Sequence, residues 1–399
     1  MIKEKPRLLV CSVDSFPRMG GVSTLAYEVT HALKPMVSEC VYLGPKGLHF
    51  GRRSVNFSIY EDWESDQSLR AGEGSDLEDE RIIDLMKKII KFYGLDGVVA
   101  FHPFYYGPAA AYVGKLLGLP TAVMVHGTEL TSQFTGAIDG VSPAPMPSNS
   151  LGGRLVRTLD EAGGVVTNSL FTASIARAIA PGIKPTVIGC GIPKAALDHL
   201  VRQTPVYRAK LKARRRIRLG LNESAMIAYV GRLVPHKNVD LLIQMGAATG
   251  FQVVIMGQGP LRHELETLAG RLGAVVRFYD EADDEKKWQV LEAADFGFLM
   301  SGYDRKTGGF EGFGISMLEY CAAGAVCLTT GVHGMADFAE DGKTTINPQT
   351  DDGKLDSVRL ADLIADEDAM DSIVQEARRK IKEDYTWDRV AENLLGALA

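Results

Sequence analysis

Short apolar runs alternate along this chain with longer stretches in which apolar residues return every three or four positions. The first run covers residues 7–13. A loop with Pro17, Gly20 and Gly21 follows, and then an amphipathic stretch at 23–33. Runs at 40–43, 97–101, Thr121–Val125, Gly164–Thr167 and 185–188 predict further strands. Helical spacing marks 81–93, through Ile82, Leu85, Met86, Ile89 and Ile90, and also 109–117. Ser169 reads as the N-cap of another helix. The acidic, polar stretch 60–80 is expected to be an irregular loop.

A second series begins after Pro193. A basic helix is predicted at 207–218. Strands are predicted at Met226–Val230, Gln252–Met256, 275–279, 296–300 and 326–329. The intervening helices fall at 239–247, 261–272, 286–294 and Ile315–Ala323, and 360–398 is mostly helical. Strands alternating with helices predict parallel sheets covered by helices. The fold class expected is therefore α/β, with two Rossmann-like domains and a cleft between them. The boundaries expected are 1–193 and 194–380, followed by a C-terminal helical segment, 381–399.

Length and composition agree with this picture. The 399 residues exceed one ordinary core, and the hydrophobic (46%) and charged (24%) contents suit a globular protein. A formal net charge of -6 gives no general attraction to nucleic acid, so none is expected as a partner. Five scattered cysteines, Cys11, Cys40, Cys190, Cys321 and Cys327, lack metal-ligand spacing and read as buried free thiols in a reducing compartment. No apolar run reaches membrane-spanning length, and the N-terminus lacks a cleavable signal pattern, so a cytoplasmic location is expected. The densest charge run is Lys210, Lys212, Arg214, Arg215, Arg216 and Arg218. It reads either as a solvated helix face or as a peripheral contact with anionic lipid at the inner face of a membrane.

The most informative stretch is Glu311-Gly312-Phe313-Gly314, with Glu319 eight residues after Glu311. Glu311 and the two glycines read as a loop that opens a helix, and Glu319 lies about two turns in. A helix start offers unpaired N–H groups and partial positive charge, and glycine lets a ligand approach them. Eight helical residues span ~12 Å, so two carboxylates could hold hydroxyls at opposite ends of one ligand. The plainer alternative is a glutamate suited to the helix dipole and a second on a solvated surface.

Other strand ends add to this. Gly231-Arg232-Leu233 through Lys237 follows a predicted strand, and its two cations suit a diphosphate. Gly257 and Gly259 sit at the next strand end and would permit close approach of a nucleoside. Gly20 and Gly21 can aim N–H groups at a phosphate. His126 ends one strand, and His102, with Tyr105 and Tyr106, ends the preceding one and could line an acceptor side. No G-x-G-x-x-G follows a predicted strand, which argues against a dinucleotide oxidoreductase.

Together these motifs resemble the retaining glycosyltransferases of the GT-B fold, family four. Glu311 to Glu319 resembles the E-x7-E signature, and Gly231-Arg232-Leu233 with Lys237 resembles the G-R-L…K element. Met19-Gly20-Gly21-Val22, His126-Gly127, Gly189-Cys190-Gly191-Ile192-Pro193 and Tyr385-Thr386-Trp387 match further landmarks in order. Two departures are Pro193, where an aspartate is frequent, and Gly127, where an acid is common.

The resemblance implies roles. Glu311 holds donor-sugar hydroxyls, with the N–H groups of Gly312, Phe313 and Gly314 nearby. Glu319 holds the ribose. Arg232 and Lys237 bind the diphosphate, Gly20 and Gly21 close on it, and His126 faces the sugar near its anomeric carbon. Neither metal nor cofactor is required. The expected reaction is transfer of a sugar from a nucleotide-diphosphate donor, UDP favoured and GDP the rival, to a hydroxyl of a surface glycan or lipid-linked acceptor. A nucleotide-sugar isomerase or epimerase of similar form and a non-catalytic sugar-nucleotide binding module are the alternatives.

Overall fold

The computed structural model describes residues 5–16, 20–48, 50, 55–62, 76–142, 144, 146–147, 149–193, 196, 204–280 and 284–399, with the backbone alone at 76–79. The chain divides into two units, Met1–Cys190 with Trp387–Ala399, and Gly191–Thr386. Met19 and residues 194–195 lie outside the described residues.

The first unit holds a seven-stranded sheet in the order β3-β2-β1-β4-β5-β6-β7. Its strands are β1 (Arg7–Cys11), β2 (Glu39–Pro45), β3 (Ser58–Asp62), β4 (Gly97–Ala100), β5 (Thr121–Val125), β6 (Gly164–Thr167) and β7 (Thr186–Val187). Each pairing is parallel. The central strands are covered on both faces, which explains why they read as continuous apolar runs rather than as alternation. β3 falls in the stretch expected to be irregular. As a polar edge strand it carries no apolar period. Its buried Asp62 is held by Arg81 at 2.7 Å.

The helix Leu151–Glu161 was not anticipated, because Gly152 and Gly153 disguise its start. Ser150 accepts from Gly153 N–H at 3.0 Å and caps it. A Cβ on Gly152 would stand 2.5 Å from Met146 Sδ and 2.9 Å from Phe134 Cζ, so a larger residue there would push these side chains aside. Ser169 caps the helix Leu170–Ile179 through Thr172 N–H at 3.1 Å. The C-terminal helix Trp387–Leu398 packs on Gly21–Leu33, and Asn393 donates to the Ile188 carbonyl at 3.2 Å.

The second unit repeats the plan. Its six strands are β8 (Met226–Val230), β9 (Gln252–Met256), β10 (Val276–Tyr279), β11 (Phe296–Phe298), β12 (Val326–Leu328) and β13 (Thr345–Ile346), in the order β10-β9-β8-β11-β12-β13. In both sheets the order reverses beside the first strand of the unit, between β1 and β4 and between β8 and β11. In open parallel sheets that reversal opens a crevice at the carboxyl ends of the strands.

The helix Ile315–Ala323 is fixed from several sides. Gly297 in β11 leaves room for the Tyr320 ring, which a Cβ would meet at 2.0 Å. Tyr320 Oη accepts from Val230 N–H at 2.9 Å, tying the helix to the end of β8. Buried Arg378 donates to the carbonyls of Cys321 (3.3 Å) and Ala322 (2.7 Å), satisfying the last turn. All five cysteines are buried and unbridged, and burial pushes the Cys40 and Cys321 thiols up to about 12.

The basic helix, Pro205–Arg218, is only in part the solvated face that the charge run suggests. Lys212 pairs with Asp295 at 2.8 Å, Arg215 with Glu292 at 2.7 Å, and Arg216 with Asp295. Three of the six cations are therefore spent inside the unit. No helix among the described residues is long and apolar enough to cross a membrane.

Candidate functional site

The crevice of the second unit is built by the loops after β8 and β11. The first loop carries Arg232, His236 and Lys237, and the second runs from Ser301 to Gly314. Three contacts join them. Asn238, in a left-handed conformation (φ 49°), donates to the Met300 carbonyl at 2.9 Å. Gly302 N–H donates to the His236 carbonyl at 2.8 Å. Lys237 Nζ donates to Glu311 Oε2, which also accepts from Ser301 Oγ at 3.1 Å. Lys237 and Glu311 are largely buried, at 15% and 13% side-chain exposure. Burial pushes the Glu311 carboxyl upward, but the charge and hydrogen bond of Lys237, with His236 and Ser301, hold it below its ordinary value. It is therefore ionised at neutral pH.

His236 had no assigned role in the sequence. It is buried, and its Nδ1 lies 2.5 Å from where a Cβ on Gly309 would stand. Burial, then the charges of Lys237 and Arg232, pull its pKa down to about 4 against the opposing pull of Glu311 and Asp304. A neutral imidazole thus sits beside a charged pair. Arg232 is exposed and makes no ion pair with a described residue, so its guanidinium remains open to a ligand.

Glu319 is buried within the helix Ile315–Ala323 and accepts from Lys287 Nζ at 2.8 Å. Lys287 comes from the helix Asp284–Ala293, and no motif around it signals this contact. Gly314 (φ 94°) starts the helix where a Cβ would meet Leu299 Cδ2 at 2.5 Å. The Phe313 ring is buried against Tyr385, with centroids 5.6 Å apart, so any ligand contact there falls to its backbone. A tight turn, His333–Asp337, also braces the loop: Gly334 N–H donates to the Glu311 carbonyl at 3.2 Å.

Gly257 and Gly259 have a reason inside the protein. Their missing Cβ atoms would stand 1.9 Å from the Gly231 carbonyl oxygen and 2.4 Å from that of Leu233. The glycines let two strand-end loops bond, as Leu233 N–H does to the Gln258 carbonyl at 2.9 Å.

In the first unit, Gly20 and Gly21 start the helix Gly21–Leu33 after β1. A Cβ at Gly21 would meet nothing within 4 Å, and one at Gly20 only Ser23 Oγ at 3.9 Å, so packing does not demand glycine at either position. His126 ends β5. Its Nε2 lies 2.7 Å from the Phe101 carbonyl. A carbonyl only accepts, so Nε2 carries a proton and Nδ1 is left to face a ligand. Glu129 binds the N–H groups of His126 and Gly127 and fixes this turn. The His102 ring stacks at 6.4 Å from that of His126. Tyr105 and Tyr106, expected on an acceptor surface, are 4% and 1% exposed and belong to the core beside Val98 and Val123.

Residues 212–380 match the family profile described as glycosyl transferases group 1. This segment is similar to group 1 glycosyl transferase domains. Among relatives of the group 1 domain, an uncharacterized glycosyltransferase of Methanocaldococcus jannaschii is 28% identical over 197 residues, covering 47% of each chain. A GDP-mannose-dependent phosphatidylinositol monomannoside mannosyltransferase of Mycolicibacterium smegmatis is 30% identical over 223 residues, 51% of this chain and 57% of its own. The chain thus spans about half the length of these relatives. HepE of Anabaena, crystallised with UDP and glucose, superposes with a TM-score of 0.73 over 98% of this chain and 99% of its own, at 14% identity. The two parallel sheets and this likeness establish the GT-B fold.

Proposed function

We propose that this chain is a retaining glycosyltransferase. It moves a hexose from a nucleoside diphosphate, UDP in preference to GDP, onto a hydroxyl of a surface-glycan or lipid-linked acceptor. The observation that carries the proposal is the Lys237–Glu311 pair at the strand-order reversal of the group 1 domain, with exposed Arg232 on the same loop. Arg232 and Lys237 bind the diphosphate and stabilise its charge as it leaves. Glu311, kept ionised, accepts hydrogen bonds from sugar hydroxyls, and Glu319 does the same for the ribose. The N–H groups of Gly312, Phe313 and Gly314 lie at the phosphate end of the helix. Gly257 and Gly259 let the loop after β9 lie against the loop after β8, which shapes the nucleoside side of this crevice.

Taken by itself, the first unit offers the N–H groups of Gly20 and Gly21 to a phosphate. His126 at the end of β5 is its candidate for a sugar hydroxyl, with the His102 ring beside it. UDP is favoured because HepE was crystallised with it, and GDP is the rival because the M. smegmatis relative uses GDP-mannose. The arginine and lysine take the place of a metal, so transfer should continue in excess chelator.

The test is a panel of UDP- and GDP-sugars screened by thermal stabilisation. Transfer to candidate hydroxyl acceptors is then followed by mass spectrometry, with and without acceptor. Sugar transfer that requires the acceptor, with the anomeric configuration kept, supports the proposal. Donor rearranged without acceptor, or bound and never consumed, overturns it.

A further inference from the structure

The helix Pro205–Arg218 is held to its unit by charge rather than by an apolar face. None of its residues is buried, and it contains no acid. At 3.6 residues per turn its side chains sort into two arcs. One arc, about 100° wide, carries Arg208, Lys212, Arg215 and Arg216. These pair with Asp371, Asp295 and Glu292. The opposite arc, about 120° wide, carries Val206, Ile217, Lys210, Arg214, Tyr207 and Arg218. Val206, Tyr207 and Ile217 stand 65%, 52% and 76% exposed. Lys210, Arg214 and Arg218 are exposed and pair with no described carboxylate.

The outward arc thus mixes protruding apolar side chains with unpaired cations, on a helix about 21 Å long. The cations of the inward arc explain the attachment, and those of the outward arc have no such work. We infer that the outward arc docks on an anionic lipid surface, with Val206, Tyr207 and Ile217 entering the headgroup boundary and the three cations bonding to lipid phosphates. Charge complementarity supports this, since the arc is wholly basic in a chain of net charge -6. The apolar members favour a lipid interface over a soluble polyanion, because only an interface accepts both kinds of side chain at once. The inference stands apart from the transferase reading, since it uses none of the residues of that site.

The test is co-sedimentation of the full chain with vesicles of phosphatidylcholine alone or with phosphatidylglycerol added, with soluble heparin as a competitor. Binding should need the anionic lipid and weaken with salt. The triple variant Lys210→Gln, Arg214→Gln, Arg218→Gln should lose on the order of 100-fold in partitioning. Ile217→Ser, with every charge kept, should lose about tenfold. The substituted residues are all exposed, so both variants should keep the wild-type circular dichroism and melting temperature. No sedimentation with anionic vesicles overturns the inference. So does binding that Ile217→Ser leaves unchanged while heparin competes fully, because that result marks a general polyanion site.

Discussion

The two units share one strand plan and differ in what fills the crevice. In the second, the loops after β8 and β11 meet through a buried ion pair, Lys237 with Glu311, beside a neutral histidine. In the first, the loops after β4 and β5 meet without an ion pair, through His126 Nε2 on the Phe101 carbonyl and two stacked imidazoles, and Glu129 binds only backbone N–H groups. The same topology thus supports one crevice joined by a buried ion pair and one joined without. A buried ion pair is costly to leave half-made, whereas a histidine on a backbone carbonyl is not. The second crevice should be far more sensitive to single substitutions than the first.

The largest effect should come from Lys237→Ala. Removing a preorganised contact to the leaving group costs on the order of 10²–10³ in rate. The change also strands Glu311 as a buried charge, which costs about 3–5 kcal/mol. Adding Glu311→Gln should restore most of the stability, read by urea unfolding, without restoring transfer. Recovery of both would make the pair merely structural.

Next comes pH. His236 has a pKa of about 4 in the folded chain against 6.5 when unperturbed. Below pH 6.5 the unfolded chain takes up a proton that the folded one refuses. Stability from this group is therefore complete above about pH 6.5 and is lost as pH falls toward 4, by about 3 kcal/mol. Glu311 acts in the same sense at lower pH, because its folded pKa lies below its ordinary value. His236→Gln should flatten the stability profile between pH 6.5 and 4. An identical slope in the variant would show that the imidazole is not held neutral.

Glu319→Gln should weaken nucleotide binding by roughly 10–100-fold, the worth of a charged hydrogen bond, with little change in turnover at saturation. Lys287→Met should also weaken nucleotide binding, since it removes the contact at 2.8 Å that positions this carboxylate. The smallest effect should be His126→Asn in the first unit, with about a fivefold loss in rate and no change in melting temperature. A collapse of stability there would erase the contrast between the two crevices.

Most of this fold could be read from the sequence, because central parallel strands are apolar throughout and helices carry a 3.6 period. What escaped had no such period: edge strand β3, and a helix whose first turn holds Gly152 and Gly153. In the site, Glu311, Glu319, Arg232 and Lys237 announced themselves by spacing. His236 was in view beside Lys237, but its neutrality depends on burial, which spacing does not encode. Ser301 and Lys287 reach the glutamates from ten and thirty-two residues away. Tyr105 and Tyr106 misled for the opposite reason: a strand-end position looks like a surface until the core closes over it.

Whether the charged crevice of the second unit takes a diphosphate can be measured by calorimetry without knowledge of the acceptor. UDP and UMP, and likewise GDP and GMP, should be titrated into the wild type and into Arg232→Ala, whose exposed side chain can be removed without disturbing the fold. The wild type should bind the diphosphate well above the monophosphate, and this gap should shrink sharply in Arg232→Ala while monophosphate affinity holds. A gap that is the same in both proteins would place the second phosphate elsewhere and overturn the diphosphate site at Arg232.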